Sequence, residues 1–168
     1  MTLEPPPDDL AAQTLAYRRA LGTFATGVCV VTADTGLGPL GLTINSFTSV
    51  SLAPRLVLWC LDERSERRAA FAAVERFAIH VLAAADQSLS RRFAKGVGRL
   101  EADEFQRVGE APPRLPGALA RFDCVAHARQ PMGDHLLIVG RVDGFDAGPG
   151  DALTYFRGRY GVAKDVES

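Results

Sequence analysis

Short apolar runs set the tightest limit on how this chain can fold. GVCVVTA (27–33), LVLWCL (56–61), RFAIHVLA (76–83) and HLLIVGRV (135–142) are each too short to be buried helices. Their β-branched and aromatic content, bounded by turn residues, is that of strands. Between them the chain offers only a few short helical stretches. That is too few for alternating βαβ units, which need a helix after nearly every strand. The expected fold class is therefore mainly β with short helices, an antiparallel barrel with the helices packed outside.

The rest of the chain fits this frame. Residues 1–8, acidic and proline-rich, read as a disordered lead, and 9–168 as one domain. Asp8 or Asp9 is placed to cap a helix over about 9–22 that Gly22 ends. Leu10, Tyr17, Leu21 and Phe24 share one face of it. DTGLGP (34–39) is a turn joining strands 27–33 and 40–47 into a hairpin. Extended chain over 48–53 ends at Pro54, and 55–62 forms a third strand. Ser65 is placed to cap a helix reaching about residue 74, and Asp86 another that Gly96 closes. Residues 97–120 carry three prolines and little pattern, which marks a loop with a possible site or partner role. RFDCVAHAR (121–129) and HLLIVGRVDGF (135–145) flank a turn at PMGD, and ALTYFRGRYG (152–161) is a short strand followed by a polar–aromatic tail.

Bulk properties exclude several classes. The net charge is −1, so no strong field favours nucleic acid or an anionic membrane. No apolar stretch has the length of a membrane span, and the start lacks a signal peptide's basic and apolar regions. Cys29, Cys60 and Cys124 are odd in number and scattered, which points to reduced thiols and a cytoplasmic protein. There is no P-loop, HExxH or GxSxG motif, and the three histidines are scattered. An enzyme without these motifs leaves the hard chemistry to an organic cofactor.

Four features are candidates for such a site. LTINSFTSVSLAP (42–54) sets Thr43, Asn45, Ser46, Thr48, Ser49 and Ser51 between two apolar strands. Alternation would put Thr43, Asn45 and Phe47 on one face and Ile44 and Ser46 on the other. Two readings stand: a strand whose hydroxyls face water, or a polar rim around a planar heterocycle. DERSERR (62–68) offers a Ser65-capped helix start with Arg64, Arg67 and Arg68, suited to a phosphate or simply to solvent. His135 opens a strand after a tight turn, at the barrel rim. Arg157, Arg159 and Tyr160 near the end either close over a site or cap the barrel.

In this order, TGVCVVTA, LTINSFTSVSLAPRLVLWCLD, RFAIHVLA, LSRRFA, GDHLLIVGRV and YFRGRY resemble the short-chain flavin reductases, the reductase components of two-component flavin-dependent monooxygenases. The pattern is similar to that of the reductases serving 4-hydroxyphenylacetate and phenol hydroxylases. The resemblance runs from about residue 17 to 160 and implies the FMN-binding split barrel, an antiparallel Greek-key barrel. It also implies a homodimer that uses NADH or NADPH to reduce FMN or FAD, the reduced flavin passing to a separate monooxygenase. Carried over by motif, Thr43, Asn45, Ser46, Ser49, Val50 and Ser51 would line the flavin, with Gly27 and Val28 beside them. Cys60, Leu61, Ser65 and Arg67 belong to the stretch that would take its phosphate, and Phe93 and Ala94 would form a wall. His135, Arg159 and Tyr160 would meet the nicotinamide nucleotide. Hydride transfer between two stacked rings needs positioning rather than a general base, so no catalytic residue is certain, and His135 is the one possibility.

This chain departs from the pattern at Cys29 (often Thr), His80 (often Asn), Ile44 (often smaller) and in the loop from Lys95 through GVGRLEADEF. The alternative to the reductase is a split-barrel protein that keeps its flavin, either an oxidase on an organic substrate or an electron carrier or sensor.

Overall fold

The computed structural model describes residues 7–164. It begins with helix α1 (Pro7–Leu21), followed by strands β1 (Thr26–Gly27), β2 (Cys29–Thr35), β3 (Gly38–Ile44), β4 (Thr48–Leu52) and β5 (Arg55–Asp62). Helix α2 (Arg68–Ala73), strand β6 (Arg76–Val81), a 3-10 turn (Ala84–Asp86) and helix α3 (Gln87–Phe93) come next. Strands β7 (Ala120–Met132), β8 (His135–Ala147), β9 (Ala152–Phe156) and β10 (Arg159–Ala163) complete it.

Seven strands form one antiparallel sheet in the order β3-β2-β6-β7-β8-β5-β4. Its two edge strands, β3 and β4, are consecutive in sequence. Laid flat, six strand spacings would separate them by about 29 Å. The chain from Ile44 to Thr48 spans at most about 14 Å. The sheet must therefore curl until its edges meet, and 45–47 is the crossover that closes it. The expected split barrel is thus built by the connectivity itself. A second antiparallel sheet, β1-β9-β10, packs beside it.

Two apolar clusters hold these layers. The barrel interior contains Val31, Leu40, Leu42, Trp59, Leu61, Phe71, Phe77, Ile79 and Ile138. The edges of the Phe71 and Phe77 rings meet Trp59 with centroids 6.1 and 5.8 Å away. Outside the barrel, Val28, Val30, Leu82, Phe93, Leu100, Leu115 and Leu153 form the second cluster. β2 lies between the two, which is why its run 29–33 is buried without alternation.

Several expectations are corrected. α1 starts at Pro7, so Asp8 and Asp9 lie inside the helix rather than capping it, and residues 1–6 of the expected lead lie outside the described residues. The apolar face of α1 does not pack: Leu10, Tyr17 and Leu21 are exposed, as is Phe24 just beyond the helix end at Leu21. α2 begins at Arg68, not at Ser65. Asp86 does not cap α3; its carboxylate accepts the Ala83 N–H across the 3-10 turn. The turn at PMGD shrinks to Gly133–Asp134, because Met132 still pairs with His135. The tail after β9 is a strand: β9 and β10 form a hairpin around Arg157 and Gly158, both with positive φ (49° and 77°). GLGPLG (36–41) has the spacing of a dinucleotide phosphate turn, yet it belongs to the β2–β3 hairpin and no helix follows it.

The 97–120 loop is fastened to the barrel. Thr32 donates to Pro113 O (2.6 Å), Arg107 forks onto Asp34, and Arg114 pairs with Asp146. His80 Nε2 accepts the Leu115 N–H at 3.2 Å, which leaves Nδ1 to donate to Val30 O at 3.2 Å. Burial holds this neutral imidazole's pKa down at about 4. Cys29, buried against the barrel, is likewise a packing residue, its thiol pushed up to about 12 by burial. All three cysteines are free. No helix among the described residues is long and apolar enough to cross a membrane.

Candidate functional site

The crossover that closes the barrel also opens a cleft. Residues 42–46 form one wall and Cys60, Leu61 and Asp62, at the end of β5, the other. Arg64–Arg67 follow β5, Ala94–Gly96 follow α3, and His135 starts β8. The cleft encloses about 520 Å³. A smaller chamber of about 200 Å³ shares Thr43, Ile44, Asn45 and Ala94 with it and adds Val28, Ser90, Tyr155 and Tyr160.

β3 ends at Ile44, so the expected alternation stops there. Thr43 donates its hydroxyl to Ser90 O at 2.7 Å, joining β3 to α3. Ser46 accepts the Cys60 N–H at 2.9 Å and so bridges the split between the crossover and β5. These two hydroxyls are satisfied by protein. Asn45, between them, is exposed in the cleft, and its amide has no hydrogen-bond partner among the described residues.

The arginines of 62–68 are largely occupied. Arg64 lies on Asp62, with Nε and Nη2 each 3.3 Å from a carboxylate oxygen. Arg68 forks onto Glu63 at 2.8 and 3.0 Å. Arg67 is buried, and its Nη1 donates to Gly41 O (2.9 Å) and Phe93 O (2.7 Å). Burial pulls its pKa below the usual arginine range, while its Nε is buried without a partner. Ser65 accepts the Arg67 N–H at 3.2 Å instead of capping α2, and its own N–H goes to Asp62 O. The anion-binding helix start expected here is not formed.

At the rim, His135 Nδ1 lies 2.7 Å from Asp134 Oδ1, and this hydrogen bond holds the Asp134 carboxyl below its ordinary range. Tyr160 Oη meets Ser90 Oγ at 2.9 Å, and its ring stands edge-on to Tyr155, 5.4 Å between centroids.

The structure therefore brings Thr43, Asn45, Ser46, Cys60, Leu61, Ser65, Arg67, Ala94 and His135 together around the cleft, with Val28 and Tyr160 at the adjoining chamber. Gly27, the last residue of β1, precedes Val28. Phe93 is fully buried behind the wall, under Gly41. Ser49, Val50 and Ser51 sit on edge strand β4 and line neither chamber. Arg159 is exposed in a separate groove with Phe156, Arg157 and Tyr160. Sequence reasoning missed Ser90 and Tyr155; the alternation of ALTYF, with Leu153 buried and Tyr155 turned to the chamber, was the available signal for the second. The 97–120 loop contributes no residue to either chamber.

Comparison with known proteins places this geometry. Residues 21–164 match the flavin reductase like domain model. The chain is 45% identical over 146 residues to SmoA, an NADH-dependent FMN reductase of Agrobacterium fabrum, covering 87% of this chain and 84% of that protein. It is 41% identical to a probable flavin reductase of Rhizobium meliloti, but spans only about half of it (47%) and 86% of itself. The solved styrene monooxygenase flavin reductase of Pseudomonas putida S12 superposes with a TM-score of 0.79 at 30% identity, over 89% of this chain and 98% of that one. With the family model covering most of the chain and the barrel shared, this protein belongs to the flavin reductase like domain family.

Proposed function

We propose that the chain is an NAD(P)H-dependent flavin reductase that takes FMN or FAD in the crossover cleft and supplies reduced flavin to a separate monooxygenase. The observation that carries this reading is the crossover itself. It presents an unpartnered Asn45 amide inside an open cleft whose neighbouring hydroxyls are already satisfied. The cleft volume lies in the range of small-molecule sites. Its donor and acceptor set fits a planar heterocycle with a polar edge. Bound there, a flavin supplies N5 as the hydride acceptor. The protein's work is positioning: Asn45 holds the ring edge, Ile44 and Leu42 give it an apolar wall, and His135 with Tyr160 orients the nucleotide. Hydride transfer between the rings needs no general base, so His135, held by Asp134 at 2.7 Å, is assigned a positioning role.

The relatives named above, an FMN reductase using NADH and the flavin reductase of a styrene monooxygenase, support the nucleotide and the partner class. A homodimer is supported by apolar surface on α1 and on edge strand β4, where Val50 and Leu52 are exposed. The free cysteines suit a cytoplasmic setting.

A crossed pair of variants tests the assignment. Asn45→Ala is expected to weaken flavin affinity about tenfold, the scale of one lost buried hydrogen bond, with the nucleotide KM little changed. His135→Ala is expected to do the reverse, raising the nucleotide KM while flavin titrations overlay wild type. Equal loss of both affinities in either variant removes the division of the cleft made here.

A further inference from the structure

We propose that Ser90 is a positioning residue for nucleotide oxidation: from inside α3 its hydroxyl fixes Tyr160 as the wall of the small chamber beside the cleft. This role rests on the reductase reading above. The chamber encloses about 200 Å³ and shares Thr43, Ile44, Asn45 and Ala94 with the cleft. Sites that hold a whole ligand start at about 300 Å³. The chamber therefore suits one ring of a ligand whose remainder lies outside it. Tyr160 also lines the outer groove with Phe156, Arg157 and Arg159, so its side chain is the partition between chamber and groove.

Three contacts set that partition. Its ring stands edge-on to Tyr155, its register partner on β9, and the Arg91 guanidinium lies 5.6 Å over its face. These two contacts pack the ring without fixing its tip. The tip is fixed by Ser90, whose Oγ lies 2.9 Å from Tyr160 Oη. Among the described residues this is the one side-chain hydrogen bond that the β1-β9-β10 sheet makes to the rest of the chain. Ser90 is fully buried, and its backbone carbonyl accepts the Thr43 hydroxyl at 2.7 Å. One residue thus holds both a β3 side of the chamber and its β10 side. With the wall set before the nucleotide arrives, the ring to be oxidised needs little further ordering to reach the flavin. Ser90 touches no reacting atom and acts through Tyr160.

A double-mutant cycle tests this. Alanine suits a helix interior and phenylalanine keeps the packed ring, so Ser90→Ala, Tyr160→Phe and the double variant retain the fold. Rates are followed at 340 nm at saturating FMN, with NADH or NADPH, whichever wild type uses. Each single variant is expected to lose about fivefold in nucleotide kcat/KM, the scale of one hydrogen bond. The double variant is expected to lose about fivefold as well, because all three lack the same bond; independent effects would multiply to about twenty-five-fold. FMN fluorescence titrations of all four proteins should overlay. The proposal is overturned if the losses multiply, or if Ser90→Ala keeps the wild-type kcat/KM while Tyr160→Phe does not, which would put the phenol on the nucleotide directly. It is also overturned if neither variant changes kcat/KM, or if FMN affinity falls in step with it, as a bond that only braces the fold would require. Wild type without flavin-dependent nucleotide oxidation overturns the reductase reading itself.

Discussion

His80 shows how a single side chain can be visible in a sequence and still have its role hidden. RFAIHVLA places it inside a strand, where a polar residue calls for a partner. The partners are Val30 O on the neighbouring strand and the Leu115 N–H, 35 residues downstream in the loop, and only the fold brings that second one near. The same pattern holds for Thr43 and Ser46. Their hydroxyls were legible as candidates for a site; Thr43 joins β3 to α3 and Ser46 joins the crossover to β5, leaving Asn45 as the free group. The His80 arrangement has a pH consequence. The folded pKa, about 4, lies below the ordinary histidine value, so the unfolded chain binds more protons between them. Stability is full above about pH 6.5 and falls as pH drops toward 4, by about 2 kcal/mol at pH 5. Urea denaturation at pH 7 and pH 5 should show this loss in wild type, and His80→Gln should lack that part of the slope. Equal slopes in the two proteins would contradict the buried neutral imidazole.

At the level of elements, strands were easier to read than their ends. The apolar runs at 56–61 and 135–142 lie wholly on strands, and those at 27–33 and 76–83 do so except at Val28 and at residues 82–83, because burial on one or both faces dictates their composition. Boundaries shifted where tertiary contacts decide them: β10 was hidden in a polar–aromatic tail because its partner is β9 in a small second sheet. α1 reads as amphipathic, yet nothing in the described chain covers its apolar side. β4 raises the same issue. It is an edge strand bearing Leu52, which is 90% exposed, beside Arg55 stacked 5.4 Å over the exposed Phe145 ring. Uncovered edges of this kind are unusual unless another chain meets them. Sedimentation should find wild type as a dimer and Leu52→Asp shifted toward monomer at micromolar concentration. A monomeric wild type would contradict the dimer proposal.

For the whole molecule, one topological fact links fold and function. The two edges of a seven-stranded sheet are joined by three residues, so the barrel closes and its seam becomes a cleft. That is why 42–54, with six Thr, Asn and Ser residues, lies between two strongly apolar strand runs. What the sequence left hidden were side-chain allegiances across the fold: Arg67 to β3 and α3, Ser65 to a turn, Tyr160 to Ser90 on α3. The most direct test of the account is NADH and NADPH oxidation followed at 340 nm with no flavin, with FMN and with FAD. The account predicts multiple turnovers that appear only when flavin is added. A yellow protein whose nucleotide oxidation is indifferent to added flavin would contradict it.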